Sequence, residues 1–213
     1  MKIISIMFKG GWVMLPIILC SVFAFAIIIE RFIFYRVIQR INNKNIFEKI
    51  FELVEKNKIS EAIEICNKNP FYLTNIIKTA LLHYEDSNEM IKDSIETTAL
   101  YEIPTLEKNL HFLSTIAHIS PLLGLLGTVT GLVRCFYIIE KKASSFGVVN
   151  PSDLAGGIWE ALITTVAGLC IAIPAYIAYN YFVNKVNILT LEAERVSLEL
   201  LEIVSRKKYE DKI

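Results

Sequence analysis

One carboxylate stands at the head of an otherwise uncharged stretch. Glu160 is followed by Ala161 to Asn184 without a single Asp, Glu, Lys or Arg. A carboxylate inside a membrane span costs about 2.5–3.5 kcal/mol on insertion scales, and such groups usually face an interior and mark an ion path. Thr164 and Thr165 follow on the same stretch, and Thr128 sits in an earlier apolar one. An acid with hydroxyls nearby suits proton carriage rather than bond cleavage. The plainer alternatives are an interfacial Glu160 near the outer end of its helix, and threonines that return hydrogen bonds to their own helix. His118 is a second titratable group, for which packing in a hydrogen-bonded niche is the simpler reading, while His83 and His111 form no constellation. There is no GxxxxGK[ST], GxSxG or HExxH, so neither nucleotide use, acyl transfer nor metal hydrolysis is expected. Cys20, Cys66, Cys135 and Cys170 are far apart, without a CxxC pair. No zinc site, disulfide framework, cofactor or enzyme activity is therefore expected.

The elements that must hold these residues are membrane helices. The chain has 213 residues, 54% of them hydrophobic before 9 glycines are counted, more than a soluble domain carries. The excess lies in three uncharged blocks, Gly10 to Ile29, Asn109 to Val133 and Ala161 to Asn184. Each has the length of about 20 residues that a helix needs to cross a hydrocarbon core. With their edges they give spans over 10–34, 109–138 and 156–184. Outside the spans the charge density is that of a soluble protein. The balance of 22 basic and 22 acidic residues offers no field for nucleic acid, and the apolar content excludes a disordered or collagen-like chain. The first block is too long for a signal-peptide core and is stopped by Glu30, Arg31 and Arg36, so it is read as an uncleaved span.

Basic residues orient the spans. Arg31, Arg36, Arg40, Lys44 and Lys49 follow the first span, and only Lys2 and Lys9 precede it. Residues 1–9 are thus expected outside, 35–108 in the cytoplasm, the loop 139–155 outside and the tail 185–213 in the cytoplasm. Arg134, Lys141 and Lys142 argue mildly the other way. The region 35–108 has apolar residues at helical spacing: Ile46, Phe47, Ile50, Phe51 and Val54 on one stripe, then Ile76, Ile77, Leu81 and Leu82. Ser60 and Asp86 are the expected N-caps, and Pro70 separates two helices. The tail repeats the pattern from Leu189 to Ile203. The fold class is an all-α membrane protein: three transmembrane helices with a helical cytoplasmic region, long helices extending from the second and third spans into the cytoplasm.

At 100° per residue, Ala117, Ser120, Gly124, Gly127, Thr128 and Gly131 share one arc of the second span, opposite Leu122, Leu125, Leu126, Val129 and Val133. In the third, Gly157, Ala161, Thr164, Thr165, Gly168, Ala172 and Ala175 face away from Leu162, Val166, Leu169, Ile173 and Ile177, with Glu160 at the edge of the small arc. In lipid, helices approach closely through small residues and hydroxyls. The two small arcs are therefore expected to form a seam. Pro121 and Pro174 each remove one rung of the helical ladder and are expected to kink their helices.

These residues carry a resemblance. Ser120-Pro-Leu-Leu-Gly-Leu-Leu-Gly-Thr-Val-Thr-Gly131, followed by Phe136, resembles the second-span signature of the TolQ/ExbB/MotA proton-channel proteins. The run from Gly157 through Glu160 and Thr164-Thr165 to Ala175, continuing to Tyr179-Asn180, is similar to their third. The resemblance implies an inner-membrane pentamer whose second and third spans line a pore around the single-span helices of an ExbD- or TolR-like partner. An aspartate of that partner would be the protonatable carrier, and proton flow would deliver work to a TonB- or TolA-like protein. It implies a proton path at Glu160, Thr128 and Thr165, with Thr164 beside them, and makes the outer side the periplasm. Arg134 is not a feature of the motif. Three spans favour ExbB or TolQ over a four-span MotA-like stator. A structural membrane scaffold, held together by the small faces without conducting protons, is the reading from a different class.

Overall fold

A computed structural model describes residues 10–41, 44–144, 148 and 150–210. Seven helices lie among them: α1 (Met14–Ile41), α2 (Lys44–Glu55), α3 (Ile59–Lys68), α4 (Tyr72–Leu82), α5 (Asn88–Glu107), α6 (Leu110–Ser144) and α7 (Pro151–Glu210). No strand occurs among the described residues. Three helices, α1, α6 and α7, are long and apolar enough to cross a membrane. The protein is an all-α membrane protein. Its contacts divide the chain into two compact units.

The first unit holds the described residues up to Glu30 together with Asn109–Tyr181. Val13, Ile17 and Ala24 of the first segment are buried, as are Leu113 and Ala117 of α6 and Ala161, Ala172 and Ala175 of α7. The bulky arcs read from the sequence are turned outward: Leu122, Leu125, Val129 and Val133 of α6 and Leu162, Val166, Ile173 and Ile177 of α7 are exposed. Leucine and valine there cost nothing in a solvent of acyl chains. Trp12 and Trp159 are also exposed, as amphipathic rings are at a membrane interface.

The second unit holds Arg31–Lys108 and Phe182–Ile213. Its core is built by the helical stripes. Phe47, Ile50 and Val54 of α2, Ala62 and Cys66 of α3, and Ile76, Ile77 and Leu81 of α4 are buried, and α7 adds Phe182, Val186, Val196, Leu200 and Val204. Leu82, which the stripe includes, is exposed because α4 ends there. Pro70 stands between α3 and α4, where Thr74 accepts from the Phe71 N–H and closes the turn.

Two expected caps move by a residue or more. Ser87, not Asp86, caps α5 by accepting from the Met90 N–H, while Asp86 is engaged by His83 Nδ1 at 2.7 Å. Ser60 falls within the first turn of α3, which begins at Ile59. The expected extension of the second span is likewise a separate helix. Between α5 and α6 the chain breaks at Lys108 and Asn109, the latter at φ 65°. The last carbonyls of α5 are thereby left without helical partners. Leu106 O takes the Tyr35 hydroxyl at 2.7 Å and the Arg31 guanidinium at 3.5 Å. Arg31 is 2% exposed and lies over the Phe34 ring. A buried charge is tolerable where it meets an orphaned carbonyl. The third span shows no such break, and α7 runs without interruption from Pro151 to Glu210.

Burial also sets the chemistry of Cys66, whose thiol is pushed up to about 11. An unfolded thiol ionises near 8.5, so between that pH and about 11 the folded state keeps a proton the unfolded state has lost. Stability from this group is present below about 8.5 and is lost as pH rises toward 11. Iodoacetamide at pH 8 should leave Cys66 unmodified in the folded protein and modify it fully in denaturant, read by peptide mass mapping. Fast labelling of the folded protein at pH 8 would contradict this burial.

Candidate functional site

In the first unit α6 and α7 run antiparallel and touch backbone to backbone. A methyl group placed on Gly131 would lie 2.6 Å from Gly157 O, and one on Gly168 would lie 2.5 Å from Ser120 O. One on Gly124 would lie 3.0 Å from Thr164 O, and one on Gly127 2.2 Å from the Thr164 hydroxyl oxygen. Gly157 is packed against Cys135 Sγ and Gly131 O. Ser120 and Ala172 are buried on the same side. At these distances no water fits between the helices. The small arcs therefore form a dry seam, and its glycines are needed for close approach rather than for backbone freedom.

The polar groups are not gathered into one constellation. Thr165 alone of the three threonines reaches across, donating to Gly124 O at 3.2 Å and to Ala161 O of its own helix at 3.3 Å. Thr164 is fully buried and donates to Glu160 O and Ala161 O, both on α7. Thr128 donates to Leu125 O of α6 and is half-exposed at the edge of the seam rather than inside it. These back-bonds satisfy the hydroxyls locally, which is the ordinary behaviour of threonine in an apolar helix. His118 donates from Nδ1 to Ser114 O at 2.7 Å and sets its ring edge-on to Tyr176. Pro121 and Pro174 lie within continuous helices, and Ser120 adds a hydroxyl bond to Ile116 O one residue before the first of them.

Glu160 closes the seam at one end. Its side chain is 9% exposed, and Oε2 accepts from Arg134 Nη1 at 2.9 Å; the arginine side chain is 66% exposed. On the other side the carboxylate packs against Gly11, which has φ +67°, where a methyl group would come within 1.9 Å of Oε1. Only glycine fits there, for want of space and because of the backbone angle. Arg134, Gly11 and Cys135 are the residues that the sequence pattern left without a place.

The glycine contacts predict a contrast. Gly156, on the same helix, has nothing within 4 Å of a methyl placed on it. Gly156→Ala should be neutral or gain up to about 1 kcal/mol of helix propensity. Gly168→Ala or Gly131→Ala should lose about 1–3 kcal/mol through overpacking against backbone. Thermal unfolding of the detergent-solubilised protein should thus order Gly156→Ala at or above wild type and the other two below it.

Comparison with known proteins places this geometry. Residues 29–195, well over half of the chain, match the MotA/TolQ/ExbB proton channel family. An ExbB homologue of Methanothermobacter thermautotrophicus is 30% identical over 85% of this chain and 63% of its own length. An ExbB-like biopolymer transport protein of Synechocystis is 32% identical over 81% of both chains. The Tol-Pal system protein TolQ of Haemophilus influenzae is 38% identical over 51% of this chain and 46% of its own length. The matched stretch holds the whole of the seam, with Glu160, Arg134 and the three threonines in it, and on that footing this chain belongs to the MotA/TolQ/ExbB proton channel family.

Proposed function

We propose that this chain is the pore-forming subunit of a proton-motive-force-driven energy transducer of the ExbB or TolQ type, in an inner membrane. It assembles as a homo-oligomer, a pentamer by resemblance to the family, around an ExbD- or TolR-like single-span protein, and passes work to a TonB- or TolA-like protein. The N-terminus and the loop between α6 and α7 face the periplasm, and the second unit faces the cytoplasm. Its activity is ion movement coupled to mechanical work, without an enzymatic step.

The observation that carries this reading is Glu160, a carboxylate almost fully buried at the end of a glycine seam inside an apolar helix pair. A charged group in such a place is costly and is kept for ion movement. Because the seam itself is too tight for water, the path runs beside it, on the face where Thr128 is half-exposed and where further helices would complete a lining. The relatives' names, biopolymer transport and Tol-Pal system, agree with this assignment. One observation favours a scaffold instead: Thr128 and Thr164 spend their hydroxyls on their own helices.

The two readings part on Glu160→Gln, which keeps shape and removes the charge. The complex purified from native membranes would be placed in vesicles, a potassium diffusion potential imposed, and proton uptake followed with an entrapped pH dye. The transducer reading expects uptake to fall at least about tenfold, with ring assembly unchanged by native mass spectrometry. Uptake at the wild-type rate would overturn it in favour of the scaffold.

A further inference from the structure

The ion pair between Arg134 and Glu160 is not absorbed by the family motif or by the packing of the seam. It joins α6 to α7 beside the glycine contacts, Glu160 standing between Gly157 and Ala161, which pack against Gly131, and Arg134 next to Cys135, which packs against Gly157. Oε2 accepts from the guanidinium at 2.9 Å, and Oε1 lies against Gly11 in the space that a methyl group there would take. A guanidinium is a planar fork of donors without an acceptor, so Arg134 suits holding a carboxylate rather than relaying through itself. What it can do is fix where a buried anion points, since no neighbouring cation other than Arg134 approaches Glu160 among the described residues.

We infer that Arg134 is a positioning residue for Glu160, holding its carboxylate between α6 and Gly11 beside the seam, so that this cation sets the geometry of the proton path at Glu160. The inference rests on the reading of Glu160 as part of that path. It makes a demand on Gly11 too: any side chain there displaces Oε1 and undoes what Arg134 fixes.

The same vesicle assay tests it, on the complete complex, with native mass spectrometry to show that the ring is intact. Arg134→Gln is expected to lower proton uptake at least about tenfold, because the buried carboxylate then loses the cation that orients it. A single N–O contact joins the pair, so Arg134→Lys, with the same charge on a stem of similar reach, keeps at least about half of the wild-type rate. Gly11→Ala falls with Arg134→Gln. Adding Arg134→Gln to Glu160→Gln lowers uptake no further than Glu160→Gln alone, because residues acting through one another are not additive. Wild-type uptake in Arg134→Gln, failure of lysine to rescue, additive losses, or a ring that falls apart on losing the arginine charge would each overturn the assignment. If Glu160→Gln is itself silent, the proton-path reading fails first. If Glu160→Gln is inactive and Arg134→Gln is active, the positioning role alone fails.

Discussion

The approach of two backbones, α6 and α7, sets everything else in the membrane-spanning unit. Lipid gives no hydrophobic reward for bringing helices together, so association depends on dispersion contact and on the few hydrogen bonds that can cross. Gly124, Gly131, Gly157 and Gly168 let carbonyl oxygens and α-carbons of the facing helix come to where side chains would otherwise be. Only at this separation can Thr165 span to Gly124 O and the Arg134 guanidinium reach Glu160. The polar geometry is a consequence of the packing. A methyl group on Gly131 or Gly168 would push the facing backbone away and shift the polar groups along with it.

How much of this was legible in the sequence depends on what each residue's fate is decided by. The arcs of small and bulky residues follow from helical period and side-chain volume, both properties of the string itself, and the outward Leu122, Leu125, Leu162 and Ile177 lie where rotation puts them. Stripes such as Phe47, Ile50 and Val54 are legible for the same reason. Hydroxyl direction is not, because a threonine in a helix chooses between a carbonyl three or four residues back and one on a neighbour, and the choice turns on tenths of an ångström. That is why Thr128, Thr164 and Thr165 read alike but behave differently. Caps fail in a related way: Asp86 and Ser87 are both good N-caps, and His83 takes the aspartate. The break at Lys108 and Asn109 has no glycine or proline to announce it, and asparagine entering the left-handed region is visible only in the backbone.

Arg31 shows the limit of counting charges. In the sequence it is one of several basic residues that orient the first span. In the folded chain it is buried, stacked on Phe34, and donates to the Leu106 carbonyl that the end of α5 leaves unsatisfied, a site it shares with the Tyr35 hydroxyl. Topology rules sum charge and do not ask where each charge ends. The cost of burying a guanidinium is offset because α5 stops where it does, and the left-handed Asn109 that follows marks that stop. One residue thus enters both the expected orientation of the span and the observed end of α5.

A tight seam and a proton path make opposite demands, and the placement of the oxygens resolves the conflict. Protons move along water or hydrogen-bonding groups that can reorient. Between Gly124 and Gly157 there is room for neither: the Thr128 and Thr164 hydroxyls are tied to their own helices, and the Thr165 hydroxyl is held between Gly124 O and Ala161 O. What the seam offers is rigidity: it keeps α6 and α7 in register so that groups on its borders hold fixed positions. Thr128 stands on such a border, half-exposed, and Glu160 stands at the end, its carboxylate set by Arg134 on one side and Gly11 on the other. On the proposed function, a dry helix pair of this kind serves as one wall of a conduit. The opposite wall must come from helices outside this chain, and the exposed apolar faces of α6 and α7 leave them a surface on which to pack.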